Sequence, residues 1–195
     1  MELPRGFSGS DAGGPASFRL PALLAGCLLV ACVFQGSRGL YETTEGRYAE
    51  CAREMVREGS WLTPVLNGEP HWTKPPLTYL AIAVPCKVLG PTTLAARLYL
   101  VPCYLAVVFA AWWLGSRLWR DPEAGRVCAM VCAASGLTLV ASQAVSTDFP
   151  LAAVVALSQA AFWEAFRSRR PWAVYAFWLL TAVAFLTKGP PALLY

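Results

Sequence analysis

Four residues of this 195-residue chain combine a reactive side chain with an informative setting: Glu45, Lys74, Asp148 and Lys188. Glu45 stands at the start of a charged amphipathic stretch, with Glu42 three residues upstream. Lys74 precedes Pro75 and Pro76, whose fixed φ holds it on a stiff, extended backbone. A lysine held this way at the edge of a bilayer suits a lipid phosphate. Asp148 lies between two apolar runs, where an ionisable group is a functional candidate. Asp148-Phe149-Pro150 also fits a helix cap with proline in the first turn, and both readings stand at this point. Lys188-Gly189-Pro190 follows a further apolar run. A carboxylate can take a proton from a weak nucleophile, and a fixed cation can stabilise a departing phosphate. Two acids and one or two lysines at a common membrane edge suit a reaction on a lipid phosphate.

The elements that position these residues follow from composition. The chain is 56% hydrophobic and 14% charged, against about 45–50% and about 25% in soluble domains. That balance excludes an ordinary water-soluble globule, and disorder needs the opposite composition. A spanning helix takes about 20 mostly apolar residues. Five runs qualify or nearly do: residues 20–37, 98–115, 127–147, 149–166 and 171–187. A sixth, 75–86, is short, carries Pro75, Pro76 and Pro85, and reads as an interfacial or re-entrant helix. With five crossings, Arg5 and Arg19 lie on the cytoplasmic side together with two short arginine-rich loops, one holding Arg117, Arg120 and Arg126, the other Arg167, Arg169 and Arg170. A sixth crossing would turn both loops outward, against the positive-inside tendency. The segment from Gly39 to about Arg97 is then one extracytoplasmic loop, and Glu45, Lys74, Asp148 and Lys188 all emerge on its side.

Within that loop, residues 43–59 repeat apolar positions at helical spacing (Tyr48, Cys51 and Ala52, Met55 and Val56), with charges on the other face. This predicts a short amphipathic helix lying flat on the membrane or on the spans. Most of its charges read as a solvated face with pairs such as Glu54–Arg57. Trp61 and Trp72 read as interface anchors, Asn67-Gly68 as a turn and His71 as a surface residue. Residues 1–18, rich in Gly, Ser and Pro, read as a disordered cytoplasmic tail. Cys27 and Cys32 sit in contexts like lipoprotein cleavage sites, but the apolar run continues past both, which predicts an uncleaved first helix. Cys51 and Cys86 are the only pair able to meet outside a membrane, and they read as reduced; with no CxxC and a single His, a Cys/His zinc site is not expected. No P-loop or GxGxxG is present, and nothing points to nucleic acid.

The run from Glu45 to Leu77 resembles the first periplasmic loop of the bacterial aminoarabinose transferases, which belong to the protein O-mannosyltransferase superfamily of GT-C membrane glycosyltransferases. The matching elements are an acid followed by Arg47-Tyr48-Ala49-Glu50, then Ala52-Arg53-Glu54-Met55, Trp61-Leu62-Thr63-Pro64, Asn67-Gly68 and Lys74-Pro75-Pro76-Leu77. Ala96-Arg97-Leu98, Asp148 and Thr187-Lys188-Gly189 follow in order, so the resemblance covers about residues 20–195. It implies an all-α, polytopic membrane bundle of about five transmembrane helices, with an amphipathic interfacial helix in the first extracytoplasmic loop. Residues 19–195 would form the N-terminal part of a larger enzyme in the bacterial inner membrane. The donor would be a polyprenyl-phosphate-linked sugar and the acceptor a lipid, glycan or protein. Glu45 or Glu42 would act as base, with Glu45 preferred, and Asp148 would assist. Lys74, with Arg47 and Lys188, would hold the donor phosphate. The reaction would be a single inverting displacement. No cofactor is required by this reading, and a divalent metal is compatible with it.

Two departures stand out. The relatives carry an Asp-Glu pair where this chain has Thr44-Glu45, and often Glu where it has Thr73. These changes bear on the sugar and on any metal dependence. The competing readings are a transporter or channel segment and a non-catalytic assembly protein. A transporter predicts charges inside the spans or broken helices along a central pathway. Here the spans are nearly free of charge, and the acids gather at one edge.

Overall fold

The computed structural model describes residues 20–41 and 43–194. The expected tail at 1–18 and the candidate base Glu42 lie outside the described residues. Apart from one small hairpin, the regular elements of the described chain are helices: α1 (Leu20–Cys32), α2 (Thr43–Glu58), β1 (Val65–Leu66), β2 (Glu69–Pro70), α3 (Leu77–Leu89), α4 (Thr93–Arg97), α5 (Leu100–Trp119), α6 (Pro122–Ala134), α7 (Gly136–Ala141), α8 (Asp148–Ser168), α9 (Pro171–Lys188) and a terminal 3₁₀ turn (Pro190–Leu194). The all-α membrane bundle and its amphipathic loop helix are therefore present.

Among the described residues, three helical stretches are long and apolar enough to cross a membrane: Thr93–Trp119, Asp148–Ser168 and Pro171–Lys188. They match the expected runs 98–115, 149–166 and 171–187. Leu20–Cys32 and Leu77–Leu89 are apolar but shorter. The run 127–147 differs from the sequence reading. It is divided into α6 and α7 by Ser135, whose backbone is extended (φ −61°, ψ 126°). A Ser-Gly pair at 135–136 is a common place for a helix to break, and a hydropathy average over the whole run conceals it.

Local chemistry sets the boundaries. Thr92 caps α4 by accepting the Ala95 N–H at 3.1 Å. Asp121 caps α6 by accepting the N–H of Glu123 at 2.9 Å and of Ala124 at 3.3 Å, with Pro122 as first helical residue. Asn67 and Gly68 both take positive φ (55° and 79°), which makes the two-residue turn that twisted antiparallel strands favour. That hairpin is tied to α2 by Glu54, whose buried carboxylate accepts the N–H groups of Asn67 (3.1 Å) and Gly68 (3.2 Å). The expected Glu54–Arg57 pair is thus replaced, and Arg57 contacts Glu58 instead. The hairpin supplies donors that spacing along the helix could not reveal.

The main core lies between α2, α3, α1 and α5. Cys51, Met55, Tyr79, Ile82, Leu100 and Val108 are fully enclosed. The Tyr48 and Tyr79 rings meet edge to face at 5.5 Å and join α2 to α3. All seven cysteines are free, Cys51 and Cys86 included. α5 and α6 form a close antiparallel pair at Gly115 and Gly125, and α8 and α9 form a second through the two-residue link Arg169-Arg170.

Candidate functional site at one end of the bundle

Glu45 stands in the first turn of α2, and its charge draws three donors. Arg38 donates to Oε1 at 2.9 Å, Arg97 to Oε2 at 3.3 Å, and the backbone N–H of Val145 to Oε1 at 2.8 Å. Glu45 is 1% exposed and Arg97 is 0% exposed. Such burial requires pairing and hydrogen bonding of both charges, and the network supplies them. Arg97 also donates to the carbonyls of Gln35 (3.3 Å), Arg38 (2.6 Å) and Gly39 (2.8 Å). The link after α1 therefore wraps around one guanidinium.

The same network pins the segment between α7 and α8. Gln35 donates to the Ser142 carbonyl at 3.1 Å, and Arg38 donates to that of Gln143 at 2.9 Å. Glu45 holds Val145 as above. The Tyr99 hydroxyl donates to the Ser146 carbonyl (2.8 Å) and accepts its N–H (3.1 Å). Four residues in the six before Asp148 are thus fixed from outside the segment. Arg38, Tyr99 and Arg97 were not singled out by sequence reasoning for this role. Arg97 carries the one usable signal, a charge directly before an apolar run, where it is costly unless paired.

Asp148 opens α8, with Thr147 before it as the capping position. The cap reading of Asp148 is therefore replaced. Its carboxylate pairs with the Lys188 ammonium at the end of α9. The Asp148 side chain is 70% exposed, so the pair sits at the surface of the bundle. Gly189 then takes φ +81° and ends α9, with Pro75 beside it: a Cβ on Gly189 would stand 3.8 Å from Pro75 Cγ. One turn further along α3, the Thr78 hydroxyl donates to the Thr187 carbonyl at 3.4 Å. The Lys74-Pro75 turn and the Lys188-Gly189 turn are therefore neighbours.

The structure brings together three of the expected site residues. Asp148 and Lys188 touch, and Lys74 lies on the adjoining turn. Lys74 is half-buried and has no ion-pair partner among the described residues. Arg47 is exposed on α2, on the side of Tyr79, whose hydroxyl is pushed up to about 12 chiefly by burial, with the Arg47 charge opposing the shift. Glu45 does not join Asp148 directly. It reaches it through Val145, three residues upstream. Among the described residues, no group of three or more His, Cys, Asp or Glu is placed to hold a metal ion. The assembly sets an ammonium–carboxylate pair beside a second, lysine-bearing turn.

Comparison with known proteins places the fold among membrane glycosyltransferases. The chain is 33% identical over 157 residues to the undecaprenyl phosphate-alpha-4-amino-4-deoxy-L-arabinose arabinosyl transferase of Pseudomonas aeruginosa (strain LESB58), covering 78% of this chain and 29% of that protein. It is 31% identical over 176 residues to a second such transferase from Pseudomonas fluorescens (strain Pf0-1), covering 87% of this chain and 32% of the relative. The crystal structure of ArnT from Cupriavidus metallidurans bound to undecaprenyl phosphate superposes with a TM-score of 0.79 at 26% identity, over 90% of this chain and 33% of that one. The chain thus spans about a third of the length of these relatives. The family model for dolichyl-phosphate-mannose-protein mannosyltransferases matches residues 18–195, and the chain belongs to that family.

Proposed function

We propose that this chain is part of the membrane domain of a glycosyltransferase that moves a sugar from a polyprenyl-phosphate donor to an extracytoplasmic lipid, glycan or protein acceptor. The observation that carries this reading is the meeting of Asp148 and Lys188 beside the Lys74-Pro75 turn, at one end of an apolar bundle. The relatives' names, which specify an undecaprenyl phosphate-linked sugar, support the donor class.

In the proposed reaction, Lys74 and Lys188, together with Arg47 of α2, bind the donor phosphate. The acceptor oxygen attacks the anomeric carbon from the face opposite the phosphate. The bond from that carbon to the phosphate oxygen breaks, and its electron pair leaves on the phosphate, where the lysines stabilise the added charge. The acceptor proton passes to a carboxylate. Of the described acids, Asp148 is exposed, whereas both Glu45 oxygens are engaged by Arg38, Arg97 and Val145. We assign proton acceptance to Asp148 and positioning of its segment to Glu45, which reverses the preference that sequence alone supports. Glu42 is the alternative base on the first loop. As the phosphate takes up Lys188, the Asp148 carboxylate is released for the proton.

The membrane placement belongs to the same proposal. α1 and the divided α6–α7 segment cross alongside the three long helices, five crossings in all, in a bacterial inner membrane. The N-terminus is cytoplasmic, and the segment from Gly39 to about Arg97 is outside. Residues 19–195 form the N-terminal part of that membrane domain.

The test uses the full-length protein in membranes with polyprenyl-phosphate sugars. Asp148→Asn is expected to lower kcat by about 10²- to 10⁴-fold, and Lys74→Met to raise KM for the donor. Native rates in both variants would overturn the assignment. Loss in Glu42→Gln with full activity in Asp148→Asn would move the base to the first loop.

A further inference from the structure

The opposite end of the bundle holds a second feature that sugar transfer does not use. α8 has 21 residues, so about 31 Å of helix separates its two ends. At the end away from Asp148, where the last turns of α5 and α8 meet, lies a cavity of about 440 Å³. Trp112, Trp113 and Trp163 wall it, and Arg117, Arg120 and Arg167 line it.

The charges there do not cancel. Glu164 is 3% exposed and pairs with Arg117 at 3.6 Å, and its other oxygen accepts the Ser168 hydroxyl at 2.7 Å. The Arg117 guanidinium lies 4.7 Å from the centre of the Trp113 ring, which fixes its orientation. The remaining acids at this end are also engaged. Asp121 caps α6, and Glu123 pairs with Arg126. Arg120 and Arg167 have no carboxylate partner among the described residues. The cavity therefore combines an indole wall, one anchored guanidinium and two uncommitted ones, at the level where a helix of spanning length meets the lipid headgroups.

We infer that this cavity binds the phosphate headgroup of an anionic membrane lipid. Arginine matches phosphate geometry through paired donors, indoles prefer the membrane interface, and basic pockets between spanning helices suit such headgroups. The occupant is a lipid and not free phosphate, because the indole walls offer apolar contact that only an acyl-bearing ligand can use. The inference requires neither the sugar-transfer reading nor a choice of leaflet.

The full-length protein, purified in detergent, would be titrated with dioctanoyl phosphatidylglycerol, dioctanoyl phosphatidylcholine or inorganic phosphate, and bound ligand counted by native mass spectrometry. Phosphatidylglycerol is expected to bind at least 10-fold tighter than phosphatidylcholine. The double variant Arg120→Asn/Arg167→Gln is expected to weaken it by roughly 30-fold, about 5-fold for each cation removed; Asn suits the positive φ of Arg120. Arg126→Gln, whose partner is Glu123, is expected to bind as the native protein does. Equal affinity for the two lipids, or native affinity in the double variant, would overturn the inference. So would an equal loss in Arg126→Gln, or displacement of the lipid by an equal concentration of inorganic phosphate. Sugar transfer measured on the same samples reads the other proposal separately.

Discussion

The Glu45 carboxylate accepts the backbone N–H of Val145, 100 residues further along the chain, at 2.8 Å. This contact joins α2 to the segment that leads into Asp148. It makes Glu45 and its partner Arg97 responsible for the shape of a site in which neither is exposed.

Removing Arg97 should therefore destabilise the protein and distort the site together. Arg97→Met leaves Glu45 buried with one guanidinium fewer and frees three carbonyls. The expected loss is about 3–5 kcal/mol, the usual scale for breaking a buried pair. Thermal unfolding in detergent measures it. Arg97→Lys keeps the charge but loses the fork, and should fall between the two. A native melting temperature in Arg97→Met would contradict the network.

The α5–α6 crossing makes a packing prediction. A Cβ at Gly125 would stand 2.6 Å from the Trp112 carbonyl oxygen and 2.9 Å from the Ser116 nitrogen. Both are backbone atoms and cannot swing away. Gly125→Ala should cost about 1–3 kcal/mol through overpacking. Gly136→Ala, where a Cβ meets nothing within 4 Å, should be near neutral in the same melting assay.

Cys51 provides a chemical test of the core between α2 and α3. Burial, assisted by the charges of Glu54 and Glu50, pushes its thiol up to about 11. The nucleophile is the thiolate, so maleimide labelling at pH 7.5 should be very slow in the folded protein and fast after denaturation. The folded state holds this proton more tightly than the unfolded chain does. The thiol's contribution to stability is therefore intact below the ordinary thiol range and declines as pH rises from there towards about 11. Rapid labelling of Cys51 at pH 7.5 in folded protein would contradict the burial.

Topology is checked with single cysteines in a cysteine-free, full-length background. Leu62→Cys, in the exposed part of the outer loop, should label from outside with an impermeant reagent. Arg169→Cys, in the link between α8 and α9, should label only after permeabilisation. The reverse pattern would invert the orientation, and labelling of both from one side would change the number of crossings.

How much of this was legible in the sequence depends on where each partner lies. The α2 helix was readable because its apolar period is internal to residues 43–58. The Asn67-Gly68 turn was readable from two residues. Glu45 is readable as a candidate reactive acid, but its partners come from residues 38, 97 and 145. No local pattern reports such distances. Glu54 was misread for the same reason. The break at Ser135 was missed because hydropathy does not distinguish a straight helix from a bent one. For Lys74 and Lys188 the sequence indicates only a shared membrane side, and the Pro75–Gly189 approach is what makes their turns adjacent.

The Asp148–Lys188 pair has one more consequence. Asp148 stands at the N-terminus of α8, where the helix macrodipole is positive, and Lys188 at the C-terminus of α9, where it is negative. Each charge is favoured by its own helix as well as by its partner. Neutralising either one leaves the other in a favourable field, so the chemistry of this corner can be dismantled one charge at a time while the α8–α9 hairpin stays folded.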